Sequence, residues 1–180
     1  YYNFLTFLAP FMEGSEDMAL AGRISKDTID FLTAKIRALE SSIESRMKLK
    51  EPYNYLLQIP GIGKVLGLTI MLETGSLDRF EKVGNYVSYC RKVSTRWTSN
   101  EKKKGKGNKK NGNRHLAWAF SEAAEFARRH DSQARAFYNR KLQKTNFMIA
   151  HNALAHKLAR AAYHVMKEQT LYMPEKLFSS

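Results

Sequence analysis

Ser99 is the hydroxyl best placed for chemistry in this chain. It sits in Thr98-Ser99-Asn100, just before Lys102, Lys103 and Lys104, on a segment too polar to enter a core. A serine that attacks a phosphodiester must lose its proton, align its Oγ with the leaving oxygen, and find cations for the charge that develops on phosphorus. The lysines answer the third need. On the residues alone, a solvated serine that only contacts phosphate is the ordinary reading of such a loop. The other reactive types offer less. His151 and His156 are five apart, which does not place both on one helical face, and with His115, His130 and His164 they form no H-E-x-x-H pattern. No Walker-type phosphate loop is present, and Cys90, the single cysteine, reads as a buried inert thiol. No metal site is expected in this chain.

The elements that must position Ser99 are organised around charge. Residues 91–115 hold ten Lys or Arg against one Glu, and so supply +9 of a net charge of +13. A stretch of that charge cannot bury itself, because unpaired charge costs far more to desolvate than its few apolar atoms return. It stays wet or meets a polyanion. The chain has 180 residues, 43% of them apolar, enough for one ordinary core and an appendage. No apolar run reaches the roughly 20 residues that span a bilayer, so a soluble protein of the cytoplasm is expected. The first residue is Tyr, which suggests a processed or partial chain.

Residues 1–24, with Pro10, Gly14 and Gly22, read as a linker or docking segment. From Ser25, taken as an N-cap, Ile29, Leu32, Ile36, Leu39 and Ile43 recur three and four apart, a heptad seam that predicts a helical arm over 25–52 ending at Glu51-Pro52. Such a seam needs a partner helix, either on its own domain or on another copy. Residues 53–180 form the second unit. Within it, residues 55–74 read as two helices about the glycine turn Ile59-Pro60-Gly61-Ile62-Gly63, resembling a helix-hairpin-helix, which clamps a duplex backbone without reading bases. Gly61, Gly63 and Lys64 are then candidates to meet phosphate. A short helix over Phe80–Tyr89, the basic loop at 91–115, and Ala-rich helices over 114–170 complete an all-α fold.

The succession of IPGIG (59–63), LDRFEKVGNYVSYCR (77–91), TSNEKKKGKGNKKNGNRHLAWAF (98–120) and AHKLARAAY (155–163) resembles the C-terminal transposase domain of a bacterial insertion-element family. In that family a RuvC-like domain with four acidic metal ligands is joined by a coiled-coil arm to a helical serine domain, and some members are bridge-RNA-guided recombinases. The resemblance implies a serine nucleophile that forms a covalent phosphoserine link to DNA, falling on Ser99 with Ser94 as the fallback. It assigns Lys110-Asn111-Gly112-Asn113 to a family turn followed by Arg114. Arg96, Lys102, Lys103, Lys104, Lys106, Lys109, Lys110, Asn111, Asn113 and Arg114 would hold nucleic acid. Trp97 and Glu101 depart from the small or basic residues common there.

The resemblance further implies a divalent metal, Mg, in the RuvC-like domain, which this chain lacks; its own acids at 13, 16, 17, 27 and 30 have no surrounding β pattern to replace it. Duplex DNA is the expected partner, with a guide-like noncoding RNA and a second copy of the chain, through the arm, as further ones. The isolated chain is expected to be inactive in strand transfer. The rival readings are a non-catalytic nucleic-acid-binding helical module and an oligomerisation module.

Overall fold

A serine followed by two acids starts the first helix. Ala19 N donates to Ser15 O at 3.0 Å, and α1 runs Glu16–Met47 with Glu16 and Asp17 in its first turn, where carboxylates offset the positive end of the helix dipole. The helix therefore begins nine residues before Ser25, and residues 16–24, expected as linker, are helical. Gly22 is carried inside at a cost of about 1 kcal/mol relative to alanine. A Lys26–Asp30 pair at 2.5 Å supports the exposed face. Ile29, Leu32, Ile36, Leu39 and Ile43 are all exposed.

The computed structural model describes residues 15–47, 51–93, 96–99, 102–106 and 111–178. By its internal contacts the chain divides into two units, Tyr1–Arg46 and Met47–Ser180. The second unit is built from α2 (Glu51–Leu56), α3 (Lys64–Thr74), a 3-10 turn (Leu77–Arg79), α4 (Val83–Tyr89), β1 (Arg96–Ser99), β2 (Lys102–Lys106), α5 (Arg114–His130), α6 (Ser132–Leu142), α7 (Phe147–Glu168) and α8 (Pro174–Phe178). Pro52 lies in the first turn of α2, where its missing N–H leaves no bond unmade.

The centre of this unit is the α5–α7 pair, on which α2, α3, α4 and α6 pack. Its facing residues are small: Ala119, Ala123, Ala124 and Ala127 on α5, and Ala150, Ala155, Ala159 and Ala162 on α7, are buried. Alanine at these positions lets the two helices approach closely. Larger side chains fill the margins. Tyr86 is fully buried with its hydroxyl 3.0 Å from Thr74 Oγ1, and Tyr163 donates its hydroxyl to Phe80 O at 3.1 Å. Side-chain caps set the helix starts: Asp131 Oδ1 accepts from Ala134 N on α6, and Asn146 Oδ1 from Ile149 N on α7.

The fold is helical, as the sequence predicts, with one addition. Inside the basic stretch β1 and β2 pair antiparallel, so what reads as a loop contains a two-stranded ladder. No described helix is long and apolar enough to cross a membrane.

Candidate nucleic-acid interface

The ladder places Ser99. Its register pairs Arg96 with Lys106, Trp97 with Gly105, Thr98 with Lys103 and Ser99 with Lys102, and shifts between Trp97 and Thr98. Lys104 is the extra residue of that bulge. Ser99 thus ends β1, with Lys102 opposite it, and Arg96, Lys102, Lys103, Lys104 and Lys106 share the same ribbon. Ser94, Lys109 and Lys110 lie outside the described residues. Five cations on one short ribbon repel one another, and a polyanion relieves that repulsion while releasing its own counterions.

The ribbon joins the helical body at a neck built by hydrogen bonds. α4 ends with Lys92 N donating to Val87 O at 3.0 Å and Arg91 N to Ser88 O at 2.9 Å, the paired closure that favours glycine in the left-handed region. Arg91 occupies that position with φ 55°. Its guanidinium reaches across to the residues just before α5, where Nε and Nη2 donate to Gly112 O at 3.2 and 2.9 Å. Asn113 N donates to Tyr89 O at 2.7 Å. Gly112 has φ 91°, and a Cβ there would lie 2.4 Å from Tyr89 O, so only glycine fits this crossing.

Asn113, expected to meet phosphate, uses both ends of its amide inside the protein. Oδ1 accepts from His115 N and Leu116 N at 2.8 and 3.0 Å, which caps α5. Nδ2 donates to Glu73 Oε2 at 2.6 Å and to Tyr89 Oη at 3.4 Å. The Asn113 amide, then the Arg79 guanidinium, hold the Tyr89 phenol below its usual value. Arg79 also covers the rings of Phe80 and Tyr89, 4.6 Å from each centroid. Asn111 and Arg114, on either side of this junction, are exposed to solvent at the base of the ribbon.

The glycine turn between α2 and α3 faces two ways. Gly61 has φ 83°, and a Cβ on it would lie 2.1 Å from Ala123 O and 2.7 Å from Ala127 N. It is pressed on the backbone of α5, flanked by buried Ile59 and Ile62. Its Cα hydrogen serves packing, where phosphate contact was expected. Gly63 has open space around it and no side chain caps α3, so the first amides of α3, with exposed Lys64 beside them, remain able to hold an anion.

Behind the neck, Lys92 is 6% exposed and donates from Nζ to Ser121 Oγ at 2.7 Å; burial lowers its amine below the usual range. His156 Nδ1 donates to Lys92 O at 3.0 Å. Cys90 is buried, which pushes its thiol up to about 12, away from reactive thiolate. His151 lies 3.8 Å from Glu125, and burial lowers its pKa. Among the described residues no three His, Cys, Asp or Glu side chains gather as a metal site would require. The acids Glu16, Asp17, Asp27 and Asp30 lie exposed along α1.

Glu73, Tyr89 and Arg91 are the residues sequence reasoning missed here. Their one local signal is the N-G-N-R-H run, which marks a helix start at Asn113; what Asn113 contacts is forty residues away. Residues 53–139 match the family described as Transposase IS116/IS110/IS902 family. Among curated proteins none matches the chain.

Proposed function

We propose, from the match of residues 53–139 to the Transposase IS116/IS110/IS902 family, that this chain is the DNA-binding, strand-transferring helical part of an insertion-element transposase, with Ser99 as nucleophile. The observation that carries the reading is the place of Ser99 at the end of β1, opposite Lys102, in the most basic stretch of the chain. Attack by Ser99 Oγ on a backbone phosphorus forms a phosphoserine ester as the bond to one sugar oxygen breaks. The serine gives up its proton to a base and the departing oxygen takes one up. One phosphodiester is exchanged for another, so a hydroxyl from a different strand can reverse the step without an external energy source. The ribbon cations hold the charge that builds on the non-bridging oxygens.

Gly63 and Lys64 at the start of α3, and Arg114 at the start of α5, grip the duplex backbone beside the ribbon. The metal-dependent chemistry belongs to a RuvC-like acidic domain of the full-length protein, acting opposite the serine from another protomer. The site of action is the nucleoid in the bacterial cytoplasm, and a guide-like noncoding RNA is a further partner. The exposed apolar stripe of α1 favours a second role, pairing protomers through the arm.

The test is Ser99→Ala in the full-length protein. Covalent protein–DNA adducts are expected to disappear while duplex affinity is retained. An adduct that persists moves the nucleophile, with Ser94→Ala made next. A parent protein that binds duplex and forms no adduct identifies a non-catalytic binding module.

A further inference from the structure

Arg91 is a non-glycine residue held at φ 55°, in the left-handed region that L side chains occupy at a cost. Glycine would relieve that strain, but glycine has no guanidinium to bond Gly112 O across the neck. The neck is also tied to α3: Glu73, in the last turn of that helix, accepts from the Asn113 side chain at 2.6 Å. Lys64 begins the same helix, about 14 Å away at 1.5 Å per residue. One helix therefore carries uncapped amides at one end and the anchor of the basic ribbon at the other.

We propose that Glu73, Arg91 and Asn113 are positioning residues: their hydrogen bonds fix the direction in which the β1–β2 ribbon leaves the helical body, and with it the register of Ser99 against a DNA backbone gripped by α3. This rests on the reading that Ser99 attacks DNA. None of the three touches the reacting atoms. Strain at a left-handed arginine persists only where the surroundings over-determine it, and here it is offset by two hydrogen bonds from Arg91 to Gly112 O.

The test uses the polarity of the Glu73–Asn113 bond. Asn113→Asp keeps an oxygen to cap α5, but it cannot donate to Glu73 and sets a second carboxylate against it. Glu73→Gln in the same chain restores a donor on the other side, so the bond re-forms with its direction reversed. In the full-length protein, Asn113→Asp is expected to slow covalent adduct formation at saturating DNA by roughly 10- to 100-fold, the scale of an ångström-level misplacement. Duplex affinity should change little, and the double variant should recover most of the rate. Thermal melting of each variant separates misfolding from misplacement: a loss of rate that tracks loss of melting temperature, without rescue, overturns the proposal.

An unchanged rate in Asn113→Asp overturns it as well. Should the parent protein form no adduct, the serine reading fails but the neck is still read by spin labels at Val65 and Lys104. A single-distance distribution that broadens in Asn113→Asp and narrows again in the double variant upholds the neck. A distribution indifferent to both changes overturns it.

Discussion

Gly61 lies against the backbone of Ala123 so closely that a methyl group in place of its hydrogen would sit 2.1 Å from the Ala123 carbonyl oxygen. The turn that resembles a phosphate clamp is therefore also the joint that seats α3 on α5. Gly61→Ala should destabilise the protein by about 2–4 kcal/mol, from overpacking plus an alanine at positive φ. Melting followed by circular dichroism checks it, with a fall of roughly 10 °C expected. A variant that melts like the parent but loses DNA binding would return Gly61 to the phosphate.

Lys92 holds a charge in the interior with a neutral hydroxyl, Ser121 Oγ, accepting from it at 2.7 Å. Lys92→Met keeps the stem and removes the charge, and should raise stability at neutral pH by about 1 kcal/mol. The sign of its pH dependence follows from the lowered amine value. Below the folded-state value the penalty of the buried charge is present in full. It shrinks as pH rises through that value and is gone above the ordinary 10.5. Denaturant titrations of both proteins at pH 7 and pH 10.5 should show the gap closing; a gap that widens would refute the account.

The ribbon lysines predict a salt signature. Alanine at Lys102, Lys103, Lys104 or Lys106, one at a time, should weaken duplex binding regardless of sequence. Each should also flatten the slope of log K against log salt by about 1 for every phosphate that is no longer neutralised. Binding isotherms over a range of KCl concentrations measure it. Slopes that stay parallel would place those lysines away from the backbone.

The stripe of Ile29, Leu32, Ile36, Leu39 and Ile43 is exposed along α1. If it pairs protomers, Ile36→Lys with Leu39→Lys should shift sedimentation toward the monomer while leaving helical content unchanged. A parent protein that sediments as a monomer at every concentration would sink the pairing.

The helical class and the α5–α7 core were legible because alanines and leucines recur at helical spacing over long stretches. The start of α1 was not. Gly22 reads as a breaker, yet one glycine costs too little to stop a long helix, and the Ser15-Glu16-Asp17 start lay in a stretch without apolar period. The β1–β2 ladder was hidden for a different reason. A strand shows itself by alternation when one face is apolar, and Lys102-Lys103-Lys104-Gly105-Lys106 has no apolar residue to alternate. The concentration of cations around Ser99 was readable from charge, while the role given to Ser99 rests on resemblance. The neck was not, because Glu73 and Asn113 meet only once the chain has folded, and no local pattern announces a bond across forty residues.

The β1–β2 ladder is a sheet of two strands, so each strand keeps an outer edge. Open edges invite further strands, and two identical ribbons could zip together into an aggregate. Four lysines in β2 and a bulge at Lys104 make this one a poor template for such growth. The same charge has a protective side: by mutual repulsion it keeps copies of the ribbon apart, so that this surface is not consumed by self-association.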